Sequence, residues 1–143
     1  MTKNLKLSLI GLVLIAAISS TAIVGVGMLV SPRQPTPISL TWFISAVDNG
    51  TTVTMKKGDT LRLTLKDYGD GGYSWNITAQ DTQKMILSKQ DHSDPSGALG
   101  DFGDDIWVFT ALQPGTSSLD LVCARPWAPS DVCATFHIQV VIQ

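Results

Sequence analysis

Two stretches of this chain alternate between apolar and polar residues, and this alternation limits the fold more than any other feature. Leu61–Leu65 has a leucine at every second position, and Phe136–Val140 has an aromatic or aliphatic side chain at every second position. A period of two is typical of a β-strand with one buried face. Shorter stretches of strand-like composition are Ile38–Ser45, Thr51–Lys56, Ser74–Thr78, Met85–Gln90, Asp105–Ala111 and Ser117–Val122.

Turn-forming residues separate these stretches. Gly, Pro, Asn and Asp cluster between them, and no segment after Val30 has a helical period of useful length. About eight short strands at this spacing predict an all-β domain, an immunoglobulin-like β-sandwich, over residues 38–143. The turn signals are Asp48-Asn49-Gly50, Lys57-Gly58-Asp59, Gly69–Gly72, Asp94-Pro95-Ser96-Gly97 and Gln113-Pro114-Gly115.

The first 30 residues predict a membrane anchor or a signal peptide. Two lysines precede an uncharged run of 24 residues, Leu7–Val30, and roughly 20 apolar residues span a bilayer as a helix. In the alternative of a cleaved signal peptide, Ser20-Thr21-Ala22 offers small residues for cleavage. We favour an uncleaved transmembrane helix, because Ile23–Val30 continues apolar beyond that point. The lysines ahead of the run predict that the rest of the chain lies outside the cytoplasm, either membrane-anchored or secreted.

Residues 31–37 predict a spacer between this segment and the β-domain. Three prolines in these seven residues are typical of a semi-rigid linker. The predicted organisation is therefore an anchor or signal over residues 1–30, a spacer over 31–37 and one domain over 38–143. The formal net charge of −2 argues against a nucleic-acid partner, which requires a basic face.

Cys123 and Cys133 are predicted to form a disulfide, because disulfides persist in exported domains. The nine residues between them fit neither a CxxC redox motif nor zinc-site spacing. Cys123 continues the apolar face of Leu119 and Leu121, whereas counting back from Phe136 places Cys133 on the opposite face of its strand. A bulge or an irregular loop end is therefore needed for the two sulfur atoms to meet. Free thiols are the alternative.

The segment between the cysteines is predicted to be a contact loop between two strand-like runs, Ser118–Val122 and Ala134–Ile142. It contains Arg125-Pro126-Trp127, and Trp and Arg are the side chains that most often contribute binding energy at interfaces. Two prolines stiffen the loop, which reduces the entropy lost when a partner orders it.

Two further segments are predicted to be loops. Asp67–Trp75 contains three glycines and is interpreted as a long hairpin loop or a recognition loop, with the Trp75 ring between the sheets. Asp94–Asp105 contains three glycines and acidic residues at 94, 101, 104 and 105. We favour a solvated acidic loop over a calcium site, because the spacing matches no EF-hand. Phe102 is expected to turn back onto the domain or to contact a partner.

No motif in the sequence suggests a catalytic site. There is no GxSxG motif, and neither cysteine has a neighbouring histidine. His92 lies in a polar stretch and His137 on the outward face of a strand, so each is expected to be a surface residue. The chain is therefore predicted not to be an enzyme and to use no cofactor or metal.

The order of these features resembles the chagasin family, protein inhibitors of papain-like cysteine proteases, from about Ile38 to the C-terminus. The third loop of the family has Arg-Pro-Trp between two long strands, as Arg125-Pro126-Trp127 has here. Its first loop ends in Gly, an aromatic residue, any residue and Trp, which Gly72-Tyr73-Ser74-Trp75 matches. Its middle loop is glycine-rich and precedes a strand, like Gly100-Asp101-Phe102-Gly103.

This resemblance implies a monomeric inhibitor that wedges three loops, all at one end of the sandwich, into the cleft of a papain-like cysteine protease. One departure is that Tyr68-Gly69-Asp70-Gly71 replaces the family's Asn-Pro-Thr-Thr, which puts a negative charge where the family has a hydroxyl. Two alternatives remain: a non-inhibitory cell-surface adhesion or assembly module, and a small-ligand or metal-binding domain that uses the acidic loop. The protease-binding residues implied by the resemblance are Gly69, Asp70, Gly71, Gly72, Tyr73, Gly100, Asp101, Phe102, Gly103, Arg125, Pro126 and Trp127.

Overall fold

The computed structural model describes residues 38–143, and this part of the chain forms two packed β-sheets. The all-β sandwich predicted from the sequence is confirmed, and each of the eight predicted stretches forms a strand. Two short 3-10 turns, Ala46–Asp48 and Asp70–Gly72, accompany the strands. The strands are β1 (Thr41–Ser45), β2 (Thr52–Met55), β3 (Thr60–Lys66), β4 (Ser74–Gln80), β5 (Met85–His92), β6 (Asp104–Ala111), β7 (Gly115–Arg125) and β8 (Ala128–Ile142).

Each sheet has four strands. The order is β1-β3-β6-β5 in one sheet and β2-β8-β7-β4 in the other. The pairs β1–β3 and β2–β8 are parallel, and the other pairs are antiparallel. Because β3 and β4 lie in different sheets, residues 67–73 cross from one sheet to the other. The interpretation of this segment as a hairpin loop is therefore wrong.

The core lies between the sheets and consists of the side chains that alternation places inward. Leu61, Leu63 and Leu65 are at most 2% exposed, and the same holds on β8 for Phe136, Ile138 and Val140. Burial of these apolar surfaces is the main force that holds two sheets face to face. Trp107, Phe109, Leu119 and Leu121 complete the centre of the core.

Trp75 lies at the edge of this core, as predicted from the sequence. Its side chain is 9% exposed, and its indole Nε1 donates a hydrogen bond to the carbonyl of Lys66 at 2.9 Å. A buried indole needs such a partner, and this bond joins the start of β4 to the end of β3 across the two sheets.

The two longest strands extend further than the sequence suggests. β7 continues to Arg125 and β8 begins at Ala128, and these two residues are opposite each other in the sheet register. The predicted loop between Cys123 and Cys133 is therefore the end of a β-hairpin, with only Pro126 and Trp127 in its turn. At the other end of the domain, β1 begins at Thr41 rather than at Ile38, which is exposed.

Among residues 38–143, no helix has the length and apolar composition needed to cross a membrane. The predicted anchor or signal over residues 1–30 and the predicted spacer over residues 31–37 lie outside the described residues.

Candidate functional site

Three segments meet at one end of the sandwich: the first loop (residues 67–73), the middle loop (residues 93–103) and the Trp hairpin (residues 123–133). The Trp hairpin is closed at its base by the disulfide Cys123–Cys133, with a Cα–Cα distance of 5.5 Å, which confirms the predicted bond. Cys123 is opposite Ala134 in the sheet register, and the next pair is Ala124 with Val132. Cys133 is thus the extra residue of a β-bulge, as the strand parity requires.

Trp127 lies in the two-residue turn of the Trp hairpin and is 71% exposed. One part of its ring approaches the first loop at Gly72, whose φ is +81°. A Cβ atom at Gly72 would lie 2.3 Å from Cη2 of Trp127, so a side chain there would displace the ring. Gly72 therefore allows both the backbone turn and the position of the indole, while most of the indole faces solvent.

Arg125 is held by residues of its own domain. Its Nε donates a hydrogen bond to the carbonyl of Gly71 at 2.9 Å, and its Nη1 lies 2.9 Å from Oδ2 of Asp131. Its guanidinium also lies over the ring of Tyr73, 4.5 Å from the centroid, a cation–π geometry. Arg125 thus connects the first loop to both strands of the Trp hairpin.

Asp131 is the residue of this cluster that the sequence did not single out. Its Oδ1 accepts a hydrogen bond from the hydroxyl of Tyr73 at 2.9 Å, which raises the pKa of Tyr73 above its ordinary value. An aspartate six positions after an arginine does not by itself predict a contact between the two side chains. Only the two-residue turn brings Asp131 back beside Arg125.

Asp101 organises the middle loop. Its carboxylate accepts hydrogen bonds from the backbone amide of Ser96 at 2.7 Å and that of Gly103 at 3.1 Å, and from the Ser96 hydroxyl. It also pairs with Lys66 at 2.9 Å, at the end of β3. The Ser96 side chain, followed by Lys66, holds the pKa of Asp101 well below its usual range. The Asp101 carboxylate therefore stabilises the conformation of the middle loop.

The middle loop also approaches the first loop through Phe102. A Cβ atom at Gly69 would lie 3.5 Å from Cδ1 of Phe102, and Phe102 is 36% exposed. The ring therefore turns partly towards the domain, one of its two predicted positions. Gly100, by contrast, has open space around its Cβ position. The predicted site residues thus form one continuous edge, with the first loop between the other two segments.

In residues 38–143, no side-chain hydrogen bond joins a histidine ring to a serine, threonine or cysteine. His92 and His137 are exposed, as predicted, and each hydrogen-bonds to an aspartate. Both cysteines are in the disulfide, so the alternative of free thiols is wrong. The three segments therefore present a preformed surface to which a partner can bind.

The model of the chagasin family of peptidase inhibitors, family I42, matches residues 54–140. The chain belongs to the chagasin family. This confirms the resemblance that the loop motifs suggest, and it identifies the protein as an inhibitor rather than an enzyme.

Known relatives of this chagasin-family chain agree with that assignment. Amoebiasin-1 of Entamoeba histolytica is 29% identical over 96 residues, which cover 67% of this chain and 94% of the relative. A solved cysteine protease inhibitor of Entamoeba histolytica has a TM-score of 0.65 at 20% identity, covering 76% of this chain and 100% of that structure. PbICP-C, solved in complex with falcipain-2, has a TM-score of 0.50 at 18% identity, covering 77% and 96%. The two structural likenesses show a shared fold.

Proposed function

We propose that this protein inhibits papain-like cysteine proteases by placing its three-segment edge in the active-site cleft. The observation that supports this most directly is Trp127, a large apolar side chain that is 71% exposed at the tip of a disulfide-closed hairpin. A rigid, exposed Trp in a continuous edge is typical of an interface anchor. The structural neighbour PbICP-C, solved with falcipain-2, has the same fold.

Inhibition by this edge requires no chemistry from the inhibitor. Residues 69–73 of the first loop would cover the protease nucleophile and its histidine, so that substrate has no access. Trp127 would lie against one wall of the cleft, and residues 100–103 of the middle loop would close the opposite side. Affinity then depends on how little the loops must change on docking.

The internal contacts of Arg125 give it a positioning role in this proposal. Its guanidinium fixes the carbonyl of Gly71 and lies over Tyr73, so that the first loop and the Trp hairpin keep one relative arrangement before the protease arrives. Preorganisation of this kind raises affinity by reducing the entropy lost on binding. The side chain remains one-third exposed, which also leaves part of it for direct contact.

The altered first loop fits the same proposal through its backbone. Asp70–Gly72 forms a tight turn in which Gly71 and Gly72 both have positive φ. A turn made of glycine backbone presents little bulk, so the loop can approach the floor of a cleft closely. Covering a nucleophile in this way does not require the family's Asn-Pro-Thr-Thr.

We also propose that the inhibitor acts outside the cytoplasm, anchored by an uncleaved helix over Leu7–Val30 or secreted after cleavage. The support is the length of the uncharged run and the two lysines before it. A disulfide in the domain fits an oxidising compartment.

The proposed inhibition is tested by titrating the purified protein against a panel of papain-like proteases with a peptide substrate. The expected result is reversible, competitive inhibition of at least one enzyme, in which the apparent KM rises and kcat is unchanged. No inhibition of any enzyme in the panel at micromolar inhibitor would contradict the proposal.

A further inference from the structure

Three side chains that metal ions favour as ligands converge beside the loops. They are Asp67, His92 and Asp105, and one potential ligand atom from each lies within 4.8 Å of the other two. Nδ1 of His92 is 3.1 Å from Oδ1 of Asp105 and 4.0 Å from Oδ2 of Asp67. Separations of about 3–4 Å are those of ligand atoms that share one ion at the usual bond lengths of about 2.0–2.2 Å.

The sheet itself brings these residues together. His92 and Asp105 are directly opposite each other in the β5–β6 pair. Asp67 follows the last residue of β3, which pairs with Asp104 on the other side of β6. A backbone hydrogen bond from the amide of Asp67 to the carbonyl of Gly103, at 3.1 Å, holds the end of β3 there. His92 and Asp105 therefore lie on two paired strands, and Asp67 is the first residue of the first loop, directly after a third strand of the same sheet.

The charge at this cluster favours a cation. Within residues 38–143, His92 is the only basic side chain that pairs with Asp67 or Asp105. Two lysines of the same sheet have other partners, since Lys66 pairs with Asp101 and Lys89 with Asp91. The Asp67 and Asp105 side chains are each 21% exposed and that of His92 is 43% exposed, so an ion has access from solvent.

The second nitrogen of His92, Nε2, lies close to the backbone at the end of the middle loop. The Cβ position of Gly103 is only 3.1 Å from this nitrogen, so a residue larger than glycine would crowd the ring. This close packing restricts the orientation of the imidazole, which a histidine ligand needs in order to keep one nitrogen directed at a metal. The other nitrogen, Nδ1, faces both carboxylates, and a bound metal ion would replace its present hydrogen bond to Asp105.

We propose that Asp67, His92 and Asp105 form a binding site for a divalent transition-metal cation, with Zn²⁺ preferred. One imidazole and two carboxylates suit zinc, whereas Ca²⁺ and Mg²⁺ prefer oxygen ligands alone. Three protein ligands leave at least one position for water. A bound ion would connect the first loop, at Asp67, to both ends of the middle loop.

The test is isothermal titration of the intact, untagged chain with Zn²⁺, Mn²⁺ and Ca²⁺, independently of any protease. The expected result is one Zn²⁺ per chain, with affinity at least tenfold lower in His92→Ala and Asp105→Asn. His137→Ala is the matched control, because His137 is the other of the two histidines in the chain and pairs with a single carboxylate, that of Asp120. Residues 1–37 contain no His, Cys, Asp or Glu, so they offer no competing side-chain ligand.

Circular dichroism of each variant without metal separates loss of a ligand from loss of the fold. If His92→Ala is misfolded, a folded Asp67→Asn/Asp105→Asn double variant must lose Zn²⁺ binding in its place. The proposal is overturned if the wild-type chain does not bind Zn²⁺ at 100 micromolar, if His137→Ala loses as much affinity as His92→Ala, or if Ca²⁺ binds as tightly as Zn²⁺.

Discussion

Trp75 and Trp127 have opposite surroundings, and their truncation is expected to have opposite effects. Trp75→Ala removes a ring that is 9% exposed and leaves a cavity at the edge of the core, so it should reduce the free energy of unfolding by about 3–5 kcal/mol. Trp127→Ala removes an exposed ring and should leave the melting temperature unchanged, while it weakens protease binding by about 2 kcal/mol or more. Thermal unfolding and inhibition assays of the two variants measure both effects. If Trp127→Ala lowers the melting temperature as far as Trp75→Ala does, the indole of Trp127 belongs to the core.

Gly72→Ala tests whether the position of the Trp127 ring matters for inhibition. The added Cβ would lie 2.3 Å from the indole and should displace it, so we expect at least a tenfold loss of inhibition. Gly58→Ala is the matched control, because Gly58 also has a positive φ, +89°, but has no atom within 4 Å of its Cβ position. Both variants carry the backbone cost of a left-handed alanine, about 1–2 kcal/mol. Equal inhibition by the two variants would contradict a role for the Gly72–Trp127 contact.

The middle loop should keep its shape in acid because of Asp101. The pKa of this carboxyl in the folded state lies below the ordinary value of 3.8. The carboxylate therefore stabilises the loop fully above about pH 4 and loses this effect as the pH falls towards the folded-state pKa. The amide NMR shifts of Ser96 and Gly103, which donate to Asp101, should be constant from pH 7 to about pH 4 and change together at lower pH. A midpoint of this pH-dependent change at the ordinary pKa of aspartate would contradict the prediction. The control is Asp94→Asn, which removes an exposed carboxyl from the same loop and should leave the midpoint unchanged.

Strand positions were predictable from the sequence, but strand ends and pairings were not. The alternation at Leu61–Leu65 and Phe136–Val140 reflects one buried and one exposed face, a local property that the sequence records directly. The extension of β8 back to Ala128 was missed because Pro129, Ser130 and Asp131 are poor strand formers, and they are held there by hairpin pairing and the disulfide. Three glycines between two strand-like runs favour a hairpin loop over residues 67–73, but β3 and β4 lie in different sheets, and the local composition does not record this.

The candidate site shows the same division between local and long-range information. The exposed Trp127 and the disulfide were predictable, since residue types and spacing suggest them. The contacts of Arg125 with Gly71 and Asp131 depend on two segments from different strands meeting at one end of the domain. The cluster of Asp67, His92 and Asp105 likewise exists only because three strands are neighbours. No local sequence pattern predicts the contacts of Arg125 or this three-residue cluster.

For the intact chain, the anchor hypothesis predicts where the inhibitor is found. If Leu7–Val30 remains as a spanning helix, the native protein should fractionate with membranes and resist carbonate extraction, because 24 uncharged residues exceed the roughly 20 that a bilayer requires. A variant lacking residues 1–30, expressed with an independent signal sequence, should be released. Mass spectrometry that finds a mature N-terminus at Ile23 would instead identify a cleaved signal peptide.

The central claim is that the first loop, the middle loop and the Trp hairpin of this protein bind together in the active-site cleft of a papain-like protease. The most direct test uses one protease of the panel that this protein inhibits. Its affinity for the protein is measured in two forms, one with the cleft free and one with the cleft filled by a covalently attached peptide inhibitor. If the edge occupies the cleft, filling it should reduce affinity by at least a hundredfold, because the peptide occupies the space of residues 69–73 and Trp127. Equal affinity for the two forms would show that the protein binds elsewhere on the protease and would contradict the account.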